Sequence, residues 1–356
     1  MQSPTPRAGP GAQSTAIFSV PLTIAVSIGQ PTLVGSAAEG AQVGLEALRM
    51  QPPVIFGGLE HRTGYQDGFL DLDDDATVPL PELTSLGTSV VAKLEDDTHE
   101  LKYHKFSVVI HRGRRMALFT ASNVDWRSAM RTIDGRKPSR SELTGLPSGT
   151  AEQWVTDWRI PREHQLPDVF YTEDGGAFDK GHIVRRDDVA WGKSFEDMQK
   201  GNGDTYHTTN CSPQIAGFNQ SARGEDNWGD LENLIQKETR AEKAIVFAGP
   251  LLADDDRRFK GRDEAGTVLV QIPSRFWKIV VVKGAAGPEA YGFLLEQDLA
   301  RVPLEFAVPA SWRPHMCEIA QIESLLNGLA RLDWLKSVDR FDSTESVRIK
   351  AQLGGS

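Results

Sequence analysis

Two β-rich runs, KYHKFSVVIHR and RMALFTASNVD, meet at the short basic turn Arg112-Gly113-Arg114. A glycine between two such runs is a hairpin signal. Further along, AIVFAGPLL and VLVQIPSRFWKIVVV read as buried strands with a mixed-charge loop between them, and YGFLLEQ reads as one more strand. Helical spacing of apolar positions comes late, in CEIAQIESLLNGLARLDWL. The polar, Gly- and Pro-containing stretch from Thr132 to Thr150 reads as a long loop. No internal repeat and no composition shift follows residue 16, so the expectation is one α+β domain.

The N-terminal sequence MQSPTPRAGPGAQST predicts a flexible Pro/Gly/Ser-rich tail over residues 1–15. Residues 16–57 predict an extension with a strand in AIFSVPLTIAVSIG and a helix over Thr32–Met50. The apolar run is interrupted by Pro21 and is too short to span a bilayer, so no membrane partner is expected. The expectation is a soluble, cytoplasmic protein, with export by a route without a cleavable signal left open. Two distant cysteines, Cys211 and Cys317, argue against a disulfide framework. The acidic cluster DLDDD lacks the glycine and distal glutamate of a calcium loop and reads as a solvated turn.

Net charge is −10, which removes bulk attraction to nucleic acid. A polyanionic substrate then needs a local basic patch or a metal ion. The stretch FDKGHIVRRDDVAWG, Phe178 to Gly192, has no amphipathic period and offers such a patch in Lys180, Arg185 and Arg186 around His182. The imidazole titrates near ~6.5 when unperturbed and can act as a general base. Taken alone, this histidine fits a surface or capping role. A second polar element runs from His207 to Leu234, HTTNCSPQIAGFNQSARGEDNWGDLENL. Here Asn210 and Pro213-Gln214 mark a turn, and Trp228 and Glu232 share one face of a helix. Asn219 and Glu232 carry hard oxygen ligands suited to Mg²⁺; a polar loop with an Asn N-cap before an amphipathic helix would fit them equally.

Together the two elements resemble the DNA/RNA non-specific endonucleases of the ββα-metal superfamily. The resemblance rests on DKGH with Asp188, NCSPQ, Asn219 and WGDLE, in that order. RTGYQDGFL, the first hairpin, FAGP, IPSRFWKIVV and QIESLLNGL extend it from roughly Gly58 to Leu335. It implies a ββα-metal nuclease fold over 58–345, with a central, mainly antiparallel sheet flanked by helices, and FDKGHIVRRDDVAWG as strand, turn and strand of the finger. It implies hydrolysis of DNA and RNA phosphodiesters to 5′-phosphate and 3′-hydroxyl ends, with His182 as general base. One Mg²⁺ (or Mn²⁺) would sit at Asn219 and Glu232, while Asp179 and Asn210 position the loop and the metal shell. Lys180, Arg185, Arg186 and Arg240 would face the substrate. Lys180 replaces the family's usual arginine and so loses the bidentate fork. SARGEDN lengthens the Asn219-to-Trp228 gap, and Gln236 stands where the family often has a basic residue one turn after the glutamate. Arg240, Arg185 or Arg223 fills the phosphate-clamping role, or the role is lost. The rival readings are a nucleic-acid-binding or scaffold protein on a degenerate nuclease fold, and a metal-dependent phosphodiesterase for small molecules. A controlled effector nuclease, a homo-oligomer, and an inhibitor or upstream regulatory partner stay open.

Overall fold

The computed structural model describes residues 50–73, 76–223, 226–239, 242–285, 287–299, 302, 317–326, 331–333 and 336. The expected tail and all but the last residues of the N-terminal extension lie outside them, as does Arg240. The described strands are, in chain order, β1 (Met50–Gln51), β2 (Leu101–Lys102), β3 (Phe106–His111), β4 (Met116–Asp125), β5 (Ala151–Glu152) and β6 (Asp179–His182). They continue as β7 (Cys211–Gln214), β8 (Lys243–Leu251), β9 (Arg258–Asp263), β10 (Gly266–Gln271), β11 (Arg275–Gly284) and β12 (Gly287–Glu296). Six of them form the central sheet in the order β12-β11-β8-β4-β3-β2, every neighbouring pair antiparallel. The expected β3–β4 hairpin is its most local piece.

Strands β4 and β8 are buried along nearly their whole length because layers cover both faces. Side chains alternate between those faces. Ala244 and Val246 pack with Leu231 and Ile235 of the helix Trp228–Glu238. Ile245 and Phe247 pack with Tyr65 and Leu70 of the RTGYQDGFL segment. The helix starts where Asn227 caps it: its side chain accepts from Asp230 N at 3.0 Å, and the Asp230 carboxylate reaches back to Asn227 N at 3.4 Å. This helix is called the site helix below.

The structure corrects five sequence expectations. VLVQIPSRFWKIVVV is two strands, β10 and β11, in two different sheets, because Pro273 has no N–H to continue a ladder. The mixed-charge loop holds β9, paired with β10; only Phe259 of β9 is buried, so no apolar period marks it. The loop over Thr132–Thr150 contains the helix Arg140–Thr144, with a Ser139/Glu142 capping box and Gly145 at φ 69° ending it. Finally, Phe178–Gly192 is one strand followed by a short helix, Arg186–Val189, and not two strands. Asp187 and Asp188 favour a helix first turn, and Arg131 takes the Asp187 carbonyl that a ladder would have used. The partner of β6 is instead β7, so Pro213-Gln214 lies in a strand and not a turn. The proline is tolerated in this isolated two-stranded pair, where its carbonyl accepts from Gln297 Nε2 at 3.1 Å.

The acidic cluster is paired at the surface: Asp71 meets Lys243, and Asp73 meets Lys283 at 2.8 Å. The C-terminal helix is described over Ile319–Leu325. No helix of the described residues is long and apolar enough to cross a membrane.

Candidate active site

Strand β6 carries Asp179 at one end and His182 at the other. Gly181 between them is required by close approach: a Cβ there would lie 2.6 Å from Gln214 Cγ and overlap the carboxamide beyond it. Gln214 is fully buried on the neighbouring strand.

The His182 ring sits at the edge of Trp154, with centroids 4.4 Å apart, and beside Tyr206 at 5.5 Å. His182 Nε2 is enclosed and has no hydrogen-bond partner among the described residues. Burial drives the imidazole pKa well below its ordinary value; the guanidinium charges of Arg186, Arg140 and Arg185 push the same way. His182 is therefore a neutral base at neutral pH. Asn210, fully buried, pins the chain just after it. Its Oδ1 accepts from Val184 N at 2.8 Å, and its Nδ2 donates to the Val184 and Thr205 carbonyls at 3.0 and 3.1 Å. Asn210 thus shapes the site without an atom left over to reach a substrate.

At the other end of β6, Asp179 Oδ2 accepts from Asn219 Nδ2 at 2.9 Å and from Gln220 Nε2 at 2.6 Å. The Asn219 carboxamide is oriented by its nitrogen, and its oxygen accepts no hydrogen bond from the described residues. The turn bearing Asn219 packs directly on the first turn of the site helix. Gly229 permits this, since a Cβ there would lie 2.7 Å from Ser221 N and 2.9 Å from Asn219 O. Trp228 Nε1 donates to the His182 carbonyl at 3.3 Å, which ties the helix back to β6.

Glu232, one turn along from Trp228, lies between two cations. Lys278 Nζ is 3.3 Å from Oε1 and Arg185 Nε is 3.6 Å from Oε2. Lys278 is a buried lysine in an apolar strand, 4.2 Å from the centroid of the Trp228 ring. Asp188 is buried beside this group. Desolvation pushes its carboxyl up to about 6, against the pull of Lys278 and Arg185.

The basic residues read from the sequence take different places. Lys180 is paired with Asp168 and donates to the Glu152 carbonyl at 3.2 Å. Arg185 is bound to the site helix, donating to Glu232 O and Gln236 Oε1 at 3.1 Å each and to Asn233 Oδ1 at 3.0 Å. The Arg186 guanidinium has no hydrogen bond or ion pair among the described residues and acts on the His182 charge. Arg223 is exposed on a short 3-10 turn after Asn219. The structure adds residues that spacing does not reveal. Arg140 reaches the same place from a separate helix, anchored to Glu152 by Nε at 2.8 Å. Trp154 and Tyr206 wall the imidazole. Lys278 carried the one readable signal, a lysine inside an apolar strand, which demands a buried partner.

The DNA/RNA non-specific endonuclease family model matches residues 84–341. The chain belongs to this family. An uncharacterized protein, y4fB, of Sinorhizobium fredii is 36% identical over 232 residues, which cover 62% of this chain and 30% of that protein. Mitochondrial endonuclease G of Homo sapiens is 28% identical over 166 residues, 45% of this chain and 51% of that protein. The Bos taurus enzyme is 26% identical over 140 residues, covering 38% and 42%. The chain thus spans about half or less of the length of these relatives. A crystal structure of an EndoG/EndoGI complex aligns at TM-score 0.40 and 16% identity, over 64% of this chain and 82% of that one.

Proposed function

We propose that the chain is a metal-dependent, sequence-non-specific endonuclease that hydrolyses phosphodiester bonds of DNA and RNA. Family membership gives the class of reaction, and one local observation carries the mechanism. His182 is neutral, its Nε2 is unpartnered, and the unpaired Arg186 guanidinium lies close enough to depress its pKa. That combination suits a neutral base beside a guanidinium that can bind an anionic phosphate. His182 takes a proton from the attacking water as its oxygen bonds to phosphorus. The bond from phosphorus to the 3′-oxygen breaks, and the leaving oxygen takes a proton from solvent, giving a 5′-phosphate and a 3′-hydroxyl. Arg186, with Arg140, holds the non-bridging oxygens, while Lys180 and Arg185 act at one remove by fixing the strand and the site helix.

The residues also fit one hard divalent cation, Mg²⁺ or Mn²⁺. Among the described residues no group of three or more His, Cys, Asp or Glu could cage a metal. Asn219 Oδ1 is a neutral oxygen fixed by the grip of Asp179 on Nδ2. Such a donor suits an ion that keeps most of its waters. Glu232, already charge-balanced by Lys278 and Arg185, would order those waters. When bound, the ion supplies positive charge to the phosphate and the leaving oxygen.

Supercoiled plasmid and a structured RNA, incubated with Mg²⁺ or with EDTA, test the reading. Nicking and degradation only with the metal is the expected result. Gel retardation without cleavage would favour a binding protein. Inertness toward both polymers alongside hydrolysis of a small phosphodiester would favour the third reading.

A further inference from the structure

A groove of about 430 Å³ runs between the segment after β4 and the outer face of the site helix. Trp126, Arg131 and Lys137 line one wall, and Asn233, Gln236 and Lys237 line the other. No aspartate or glutamate is among its lining residues, although the chain carries a net charge of −10. The groove is joined to the catalytic cluster through the Arg185–Asp188 turn. Arg185 donates to both Asn233 and Gln236, and Lys137 Nζ lies 3.1 Å from Asp187 Oδ2. Arg186, whose guanidinium has no hydrogen bond or ion pair among the described residues, stands between Arg185 and Asp187 in the chain.

We propose that this groove binds the sugar-phosphate backbone of the nucleic-acid strand on one side of the scissile bond. The proposal rests on the nuclease reading of the neighbouring site and names where the rest of the strand goes. Lys137 and Lys237 have side chains 47% and 76% exposed, so their ammonium groups can reach a phosphate. Their present partners do not hold them, since Lys237 only grazes exposed Glu238 at 3.5 Å and Lys137 has a half-exposed contact worth little. Arg131 cannot leave. It lies over the Trp126 ring at 3.8 Å and bonds the Asp125 carbonyl at 2.5 Å, so it contributes a fixed charge from beneath. The remaining polar groups are uncharged, the amides of Asn233 and Gln236 and the hydroxyls of Ser128 and Thr132, so none of them repels a phosphate. Phosphate contacts position a strand without reading its sequence, which matches non-specific cleavage.

The test separates binding from chemistry. In a His182→Ala background, the affinity for a short fluorescein-labelled duplex is measured across a salt series, with and without Lys137→Ala and Lys237→Ala together. Two lost phosphate contacts flatten the slope of log K against log salt by about 1.8 and weaken binding roughly tenfold near physiological salt. Lys137→Arg with Lys237→Arg keeps the wild-type slope. With His182 intact, the double alanine variant raises KM for the duplex and leaves kcat on a dinucleotide unchanged, because a dinucleotide ends before the groove. An unchanged slope overturns the proposal, as does an equal loss on duplex and dinucleotide. Polyglutamate binding as tightly as the duplex, with the same lysine dependence, also overturns it in favour of an acidic protein partner. If the wild-type protein cleaves no nucleic acid, the nuclease reading fails, and the binding slopes still decide the groove.

Discussion

Replacing Lys278 by Met removes one of two cations that hold Glu232 at the site. The ammonium is buried and stands 3.3 Å from the Glu232 carboxylate. At an effective dielectric of about 20, that separation corresponds to about 5 kcal/mol of attraction. Relief of the buried ammonium offsets part of this, while the Glu232 and Asp188 carboxyls are left with Arg185 as the nearest cation. Breaking one side of a buried pair typically costs about 3–5 kcal/mol. In a domain of this size that lowers Tm by roughly 6–20 °C. Thermal melts followed by circular dichroism measure it without reference to activity. Adding Glu232→Gln to Lys278→Met should recover part of the loss, since the stranded charge is gone, and the double-mutant cycle gives the coupling directly. Lys278→Met melting within about 1 kcal/mol of wild type, with no coupling to Glu232→Gln, would show that the two groups do not share a charge balance. The same variant should need more Mg²⁺ for half-maximal cleavage, because an untethered Glu232 no longer holds its orientation.

Three further perturbations follow from the site. Arg186→Ala removes a positive charge that opposes His182 protonation, so the acid limb of the kcat/KM profile moves up toward the ordinary imidazole value near ~6.5; a limb that stays put or moves down contradicts the placement. Gly181→Ala forces a Cβ into the buried Gln214 side chain and should cost about 1–3 kcal/mol, together with a loss of activity, as read by urea unfolding and plasmid nicking. His182 and His207 are both held below the usual imidazole pKa, first by burial. The unfolded chain then binds protons that the folded chain refuses, so these groups make stability fall as pH drops below ~6.5 and contribute no pH dependence above it. A denaturant midpoint unchanged between pH 7.5 and 5.5 in the wild type, but not in variants of these histidines, is the opposite of that expectation.

The sequence was most readable where one physical rule acted alone. β3 and β4 show β-rich runs around a glycine-containing turn, and the site helix shows an Asn cap followed by apolar residues at helical spacing. The DKGH and WGDLE segments put His182 on a strand and Glu232 on a helix, as the structure has them. Reading failed where contacts distant in the chain decide the outcome. Arg186–Val189 is helical partly because Arg131 captures the Asp187 carbonyl, and nothing local to the aspartates announces that. The basic patch looked uniform in sequence, yet its three members have three fates. Lys180 answers to Asp168, Arg185 to the site helix, and Arg186 alone is unpaired among the described residues. Arg140 and Trp154 come from a stretch read as loop and from a segment with no motif, and only tertiary packing brings them to the imidazole.

The central claim is that His182 is the general base of a nuclease. The most direct measurement compares purified wild-type protein and His182→Ala on supercoiled plasmid in saturating Mg²⁺, with circular dichroism confirming equal folding. Loss of a general base predicts a rate lower by about 10²–10⁴-fold, with the DNA still bound. A His182→Ala protein that cleaves within a few fold of wild type would contradict the account at its root.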